Sequence, residues 1–294
     1  MAARADELLM IEPVHDYYAE ANVLSADLEQ PLRDEIKPRA SVKLPKDGHY
    51  QFKHAESFRF EGILSYQSGY TQVAGHPSSK TAGFTTLATS VLEGLNVLDV
   101  ITADRVVAQI STVHPAYGTG QVPSVTFLGT RFDNLRIGGH KIEVDRSLDI
   151  LGPRSEDDRS YFDDPKVLGR ISDQYKTIAR AENLPDWAAK DYPKGRSANG
   201  SGKLECSVVS GVKGAPGTPF GHVIDLPHFG KIFLGELQVE REPGNPTKGI
   251  NDAYTFHLTM IRLEMGCLAK GSAKIVALDS NGTGSGGGTR GGKP

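Results

Sequence analysis

The sequence predicts a mostly β protein, an antiparallel β-sandwich-like domain with one inserted α-helix at about residues 165–182. Short runs rich in Val, Ile, Thr and Phe alternate apolar and polar residues, which is the period of strands with one buried face. Gly (33) and Pro (17) are frequent and separate these runs with turn signals. One stretch repeats its apolar residues at helical spacing.

The first β block is predicted over residues 51–150, within a single β domain over 51–280. Two of its runs, Ser57 to Leu64 and Ala103 to Ser111, alternate clearly and are each predicted to form a half-buried strand. The residues that share the apolar face are Phe58, Phe60 and Leu64 in the first run and Val106, Ala108 and Ile110 in the second.

A charged insertion over residues 154–194 separates this block from the next. Asp164 followed by Pro165 is typical of a helix start, with an N-cap residue and proline at the first helical position. Leu184 and Pro185 end the pattern, so a helix is predicted from Pro165 to about Glu182. Its apolar positions are Val167, Leu168, Ile171, Tyr175 and Ile178.

The second β block is predicted over residues 203–280. In the run from Ala253 to Leu263, alternate residues from Tyr254 to Met260 share one face, and the apolar phase then moves to Ile261 and Leu263. An extra residue in one strand reverses the facing of everything after it, so we expect a β-bulge near Met260.

The two ends of the chain differ from the β domain. Residues 1–50 are acidic and interrupted by Pro31, Pro38 and Pro45, and are predicted to form a lead segment that wraps the core or is partly mobile. Residues 281–294 are rich in Gly, Ser and Thr, offer no apolar side chain to bury, and are expected to form a flexible tail or linker.

Composition excludes several function classes. A formal charge of −3 and a pI of about 6.3 give no basic surface for a phosphate backbone, so nucleic acid is not an expected partner. No run approaches the roughly 20 apolar residues of a membrane span, and residues 1–18 lack the apolar core of a secretory signal. Cys206 and Cys267 are too few for a disulfide scaffold; two buried thiols are favoured over a pair between neighbouring strands.

Four segments, in chain order, resemble the choice-of-anchor P proteins. The first segment is Phe84 to Val113. Within it, Ala88 to Leu98 is similar to the family pattern Ala-x-Ser-x-x-x-Gly-Leu-x-Val-Leu, and Ile101 to Val106 is similar to the Val-Thr-Ala-Asp-x-Val that follows it. The later segments are Phe132 to Ile142, which resembles a hairpin, Val223 to Ile232, which resembles a strand entry, and Tyr254 to Leu263, which resembles the penultimate strand.

The resemblance covers about half of the chain, with motifs that are individually unspecific. It implies a bacterial surface or secreted β domain joined to a C-terminal anchor, with no enzymatic activity. The chain departs from this pattern by lacking a signal peptide and a C-terminal sorting signal and by carrying the insertion at 154–194. Two locations stay open as expectations: the cell surface from the resemblance, and the cytoplasm from the missing signal.

The residues nominate no catalytic, cofactor or metal site. His222, Asp225 and His228 are zinc-ligand types, but on an extended strand the two imidazoles and the carboxylate point to opposite faces, which favours a polar turn. Glu156, Asp157, Asp158, Asp163 and Asp164 offer oxygen ligands without calcium-loop spacing, which favours an acidic loop before a helix.

Two further patterns have an ordinary structural explanation. The segment from Asn199 to Lys203 lacks the first glycine of a phosphate-binding loop, since Ser197 stands in its place, and is interpreted as a linker. Exposed aromatic residues are able to stack on sugars, although core packing is the commoner fate of such rings. The residues considered are Tyr66, Tyr70, Tyr117, Trp187 and Tyr192.

The favoured hypothesis is a non-enzymatic structural or surface-associated protein that acts through self-association or adhesion, by strand addition to an exposed sheet edge. The alternative is a carbohydrate-binding module that uses Tyr66 and Tyr117. A second alternative, ranked last, is an enzyme of unrecognised type.

Overall fold

The computed structural model describes residues 15–31, 33–78, 83–115, 122–198, 202–244, 252–266 and 269–283. Antiparallel strands dominate this part of the chain, and two helices lie together in the middle of the sequence. The fold class predicted from the sequence is confirmed.

The strands of the first half are β1 (Ala19–Gln30), β2 (Asp34–Arg39), β3 (Val42–Lys43), β4 (His49–Ala55), β5 (Phe58–Phe60), β6 (Leu64–Tyr66), β7 (Ser68–Pro77), β8 (Phe84–Val97), β9 (Ile101–His114), β10 (Ser124–Thr126), β11 (Arg131–Asp133), β12 (Arg136–Ile137), β13 (His140–Lys141) and β14 (Glu143–Arg146). The remaining elements are α1 (Pro165–Ala179), α2 (Asp186–Asp191), β15 (Lys203–Ser207), β16 (Val209–Lys213), β17 (Thr218–Phe220), β18 (Val223–Leu226), β19 (Gly230–Glu242), β20 (Ala253–Met265) and β21 (Lys270–Thr283).

Two large sheets form the body of the protein. Among the described residues, the first sheet has nine strands in the order β17-β18-β19-β20-β21-β1-β2, with β15 beside β19 and β3 beside β1. The second sheet has ten strands around the long hairpin of β8 and β9, with β7 and then β4 on the β8 side. A separate pair, β14 and β16, links the two halves of the chain.

The two sheets pack face to face over one apolar core. Strands β1 and β21 of the first sheet lie against β7, β8 and β9 of the second. The hydroxyl of Ser90 donates to the backbone oxygen of Asn22 at 2.9 Å, and the hydroxyl of Thr71 donates to that of Ala40 at 2.6 Å, so hydrogen bonds also join the layers. As the alternation predicted, Val106, Ala108 and Ile110 are fully buried.

The neighbouring strands β19, β20, β21 and β1 of the first sheet share an irregularity in their pairing at the same level, which we call the crease. The ladders of β19 with β20, β20 with β21 and β21 with β1 each omit one pair, and the register is the same on both sides of the gap. The omitted residues are Gly235, Met260, Val276 and Val23; Gly235 and Val276 have φ of +62° and +56°. The apolar phase changes here in each strand, so the predicted shift after Met260 is confirmed. Its cause is the shared crease and not an extra residue in one strand.

Helix α1 begins as its sequence predicts and covers a sheet edge. The carboxylate of Asp164 accepts from the backbone N–H of Lys166 at 2.8 Å, which caps the helix. The side chain of Gln174 exchanges two hydrogen bonds with the backbone of Ser207 on β15, and the hydroxyl of Tyr175 donates to the backbone oxygen of Glu205. The free edge of β15 is therefore occupied by side chains of the helix.

Four predicted boundaries differ from the structure. Residues 19–43, predicted to lie in a lead segment, supply β1, β2 and β3 of the first sheet. The run from Ser57 to Leu64 is a hairpin of β5 and β6 and not one strand, because Glu61 and Gly62 take positive φ values of 43° and 69° and reverse the chain. Helix α1 ends at Ala179 and not at Glu182, and β21 extends to Thr283, into the predicted tail.

Candidate functional site

Strand β4 is an exposed edge of the second sheet. Within the described part of the chain it pairs only with β7, in an unbroken register from His49 opposite Gly75 to Ala55 opposite Gly69. Every residue of β4 except Ala55 is exposed. Its backbone therefore offers a row of hydrogen-bonding groups on the side away from β7.

An aromatic stripe lies on the outer face of this edge. Tyr50 and Phe52 are 57% and 51% exposed, and the rings of Phe52 and Tyr70 are 5.8 Å apart and nearly parallel. Tyr70 lies opposite His54 on the neighbouring strand β7, so all these side chains project from the same face. We call Tyr50, Phe52 and Tyr70 the β4 aromatic stripe.

The other described edges are short or protected against pairing. Strand β2 contains Pro38, which lacks an N–H, and four charged residues. Strand β17 has three residues and contains Pro219, while β5 and β13 have three and two residues. The edge of β15 is covered by α1. Among the described edges, β4 alone is long, free of proline and rich in rings.

A cleft of about 710 Å³ lies on the opposite side of the protein, between the first sheet and the helical insertion. Its floor is formed by short side chains of β1, β20 and β21 near the crease, namely Asn22, Thr259 and Ala277. The chain after α2 forms one wall with Tyr192 and Arg196.

Ion pairs hold the charged walls of this cleft. The guanidinium of Arg262 makes two hydrogen bonds to the carboxylate of Glu236, at 2.6 and 2.9 Å, and a third to Glu264. It also lies 3.6 Å above the ring of Phe233. Burial by itself would lower the pKa of Arg262, but the carboxylates of Glu236 and Glu264 outweigh this effect, so the pKa is raised above its usual value. This arginine is therefore fixed in place and always charged.

A second arginine anchors the other wall. Arg196 pairs with Glu205 and donates to the backbone oxygen of Asp191 at 2.7 Å. Its guanidinium covers the ring of Tyr175 at 4.6 Å and lies 5.3 Å from the ring of Tyr192. The segment after α2 is thus tied both to the sheet and to α1.

Two polar side chains that line the cleft, His222 and Tyr192, contact each other through their rings, whose centroids are 6.3 Å apart. The imidazole of His222 is 5% exposed, and neither it nor the hydroxyl of Tyr192 forms a hydrogen bond with any described residue. Burial lowers the pKa of His222 to about 4, so its imidazole is neutral at pH 7. Burial also raises the pKa of Tyr192, which keeps its hydroxyl protonated.

Cys206 also lines the cleft as a free thiol. Burial, with a smaller effect from Glu205, raises its pKa to about 12. A thiol is a nucleophile only as the thiolate, so Cys206 is chemically inert at neutral pH. Cys267 lies outside the described residues, so its predicted state as a second buried thiol is not tested.

The structure separates the three residues of zinc-ligand type, for which the sequence favoured a polar turn. His222 faces the cleft, the carboxylate of Asp225 accepts from the indole N–H of Trp187 at 3.1 Å, and His228 is exposed on the following turn. No group of three His, Cys, Asp or Glu side chains suited to a metal ion occurs in the described chain.

Four of the five acidic residues before α1 pair with arginines or with backbone, and Glu156 is exposed. Asp157 pairs with Arg159, Asp158 with Arg154, and Asp163 with Arg241. As the sequence indicated, Asp164 caps the helix. Lys203, at the end of the predicted glycine-rich linker, pairs with Glu240 across β15 and β19 at 2.6 Å; residues 199–201 lie outside the described residues.

The five aromatic residues considered for stacking on sugars lie in different environments. Tyr66 is 3% exposed and packs against Phe58, so it offers no face to a ligand. Tyr117 lies outside the described residues. The indole of Trp187 is covered by the ammonium of Lys231 at 4.1 Å. Tyr70 belongs to the β4 aromatic stripe and Tyr192 to the cleft, neither of which the sequence located, because their neighbours are distant in the chain.

A family model described as "Domain of unknown function (DUF8256)" matches residues 15–240. The chain belongs to the DUF8256 family. The matched region contains β1 to β18, both helices and most of β19, and so includes the β4 edge and one wall of the cleft. No curated protein and no solved structure matches this DUF8256 chain. Among its described residues, no helix combines the length and apolar character that a membrane span requires.

Proposed function

We propose that this protein is a non-enzymatic, surface-associated structural protein that associates with further copies of itself by adding strand β4 of one copy to β4 of another. The observation that carries the proposal is the β4 edge, which is seven residues long, unpaired on one side among the described residues, and exposed. The surface location rests on the resemblance to choice-of-anchor P proteins.

The β4 sequence suits pairing with a second copy about a twofold axis. If the axis passes at Phe52, the two Phe52 rings face each other, Tyr50 lies opposite His54 of the second copy, and Gln51 lies opposite Lys53. Aromatic pairs stabilise antiparallel strands, and no like charges lie directly opposite each other in this register. Pairing of this kind would join two copies of the second sheet into one continuous sheet.

The contrast between edges supports the same proposal. Lys53 is the only fully charged side chain on β4, whereas Asp34, Glu35, Lys37 and Arg39 lie on the six-residue strand β2 together with a proline. Proteins suppress unwanted edge pairing with proline and charge. One long edge carries this protection and the other does not, as expected if β4 has a partner.

The test is analytical ultracentrifugation of the full chain over a concentration series. Phe52→Lys places two ammonium groups against each other at the twofold axis, and we expect it to weaken association at least tenfold. Leu128→Lys is the matched control, because Leu128 is 68% exposed and lies outside β4. A strictly monomeric protein, or equal association of both variants, would contradict the proposal.

A further inference from the structure

The cleft has the dimensions of a small-molecule site. Its volume of about 710 Å³ falls within the range of about 300 to 1,000 Å³ typical of ligand pockets. Its floor is formed by the smaller side chains of β1, β20 and β21, and the larger side chains of Tyr192 and Arg262 line its walls. The smaller side chains are Asn22, Ser25, Thr259 and Ala277. A bound molecule would therefore contact the sheet from above and the helical insertion from the side.

Most of the charged groups around the cleft are paired. Six carboxylates line the cleft, and among the described residues all except Asp191 pair with a basic side chain, namely Arg196, Arg262, Lys203 or His257. Both guanidinium groups are engaged by carboxylates, so an anionic ligand finds no vacant arginine. The carboxylates concerned are Asp191, Glu205, Glu236, Glu240, Glu264 and Asp279.

The ring faces in the cleft are occupied as well. The guanidinium of Arg196 covers Tyr175, and that of Arg262 covers Phe233. A flat aromatic ligand would have to displace a fixed cation to stack there. Binding in this cleft must therefore depend mainly on hydrogen bonds.

Unpartnered polar groups show which hydrogen bonds are on offer. His222 is 5% exposed, and its neutral imidazole has one donor and one acceptor without a described partner. The hydroxyl of Tyr192 adds another donor and acceptor. A molecule bound in the cleft would supply hydrogen bonds to His222 and Tyr192 that no described residue supplies.

We propose that the cleft binds an uncharged sugar, whose hydroxyl groups bridge the paired charges of the walls and reach His222 and Tyr192. A sugar hydroxyl both donates and accepts, as do a neutral imidazole and a phenol, and it bonds equally to a guanidinium and to a carboxylate. Because most of the charged groups already have a partner of opposite charge, the cleft favours a neutral ligand over an amine or a phosphate. This site is separate from the β4 edge and does not depend on self-association.

Tyr192 allows a conservative test, because phenylalanine keeps the ring and its contact with Arg196 and removes only the hydroxyl. His222→Leu keeps a similar volume and removes both nitrogens. Neither change breaks a described protein hydrogen bond, so we expect both variants to fold with unchanged or higher melting temperatures. Tyr70→Phe, which removes a hydroxyl on the other sheet, is the matched control.

The experiment is saturation-transfer NMR followed by calorimetry on the full chain. The neutral probes are glucose, galactose, mannose, N-acetylglucosamine and their β-linked disaccharides; the charged probes are inorganic phosphate and spermidine. We expect at least one neutral sugar to bind, and Tyr192→Phe and His222→Leu each to weaken it about fivefold or more, with no change in Tyr70→Phe. Absence of sugar binding, sugar binding that both variants retain, or binding of the charged probes alone would overturn the proposal.

Discussion

The Nδ1 atom of His257 lies 2.7 Å from the Oδ1 atom of Asp279, its direct partner on the neighbouring strand β21. The other ring nitrogen faces Glu240, with its Nε2 atom 3.9 Å from the carboxylate. The hydrogen bond to Asp279 is the largest cause of a raised pKa for His257, and burial opposes it. The two neighbouring carboxylates stabilise the charged form of the imidazole.

This pair predicts a loss of stability in the neutral to alkaline range. Because the folded-state pKa of His257 is raised above its unfolded value of about 6.5, its contribution is complete below that pH and is lost as pH rises through the folded-state pKa. We expect His257→Gln to flatten the pH dependence of the free energy of unfolding in this window, measured by urea denaturation. His140→Gln, which replaces an exposed histidine, is the control. If His257→Gln kept the same pH dependence of the free energy of unfolding as the unchanged protein, His257 would not be its source.

His222 predicts a loss of stability at acidic pH. Burial lowers its pKa from 6.5 to about 4, so the unfolded chain binds this proton more readily than the folded protein between these pH values. Stability should therefore fall by up to about 3 kcal/mol from this group as pH drops from about 6.5 to 4. Subtracting the urea denaturation curve of His222→Leu from that of the unchanged protein isolates the effect. A difference that does not vary with pH would rule it out.

Two glycine substitutions should act in opposite directions. Gly235 has φ of +62°, and a Cβ atom there would lie 2.9 Å from Cγ2 atoms of Val208 and Val209. We expect Gly235→Ala to lower the free energy of unfolding by about 2 to 4 kcal/mol. Gly169 lies inside α1 with no atom within 4 Å of such a Cβ, so Gly169→Ala should raise stability by about 0.5 to 1 kcal/mol. Thermal and urea denaturation would show both, and equal signs would contradict the crease geometry.

Two phenylalanines separate folding from association. Phe256 is fully buried in β20, and Phe256→Ala should cost about 3 to 5 kcal/mol of stability. Phe52 is 51% exposed, and Phe52→Ala should change stability by no more than about 0.5 kcal/mol in the monomer while weakening association. Denaturation at low protein concentration measures the first quantity and sedimentation the second. A large loss of monomer stability in Phe52→Ala would mean that β4 is needed for the core.

The sequence patterns located the long strands β9 and β20 and the start of α1, because alternation and capping are local properties. They missed β1, although its residues alternate on both sides of Val23. The crease puts Val23 and Leu24 on the same buried side, so neither half of the strand is long enough to be recognised by itself. Helix α2 has six residues, too few to show a helical period.

The candidate sites were out of reach for a different reason. The cleft brings together Asn22, Tyr192, His222 and Arg262, which lie far apart in the chain and meet only through the strand order of the first sheet. The β4 edge depends on which strand lacks a neighbour, and that is a property of topology. Tyr66, which the alternative hypothesis used for stacking on sugars, is buried, in agreement with the core packing that the sequence favoured for such rings.

Because the crease lies at the same level in β1, β19, β20 and β21, a change in the number of residues at this level in one strand affects its pairing with its neighbours. Deleting one residue at this level from a single strand would turn its far half inside out, sending Leu278 or Leu258 to solvent while the three neighbours kept their facing. Insertions and deletions at this level are therefore expected to occur in all four strands together or not at all in proteins that share the sheet.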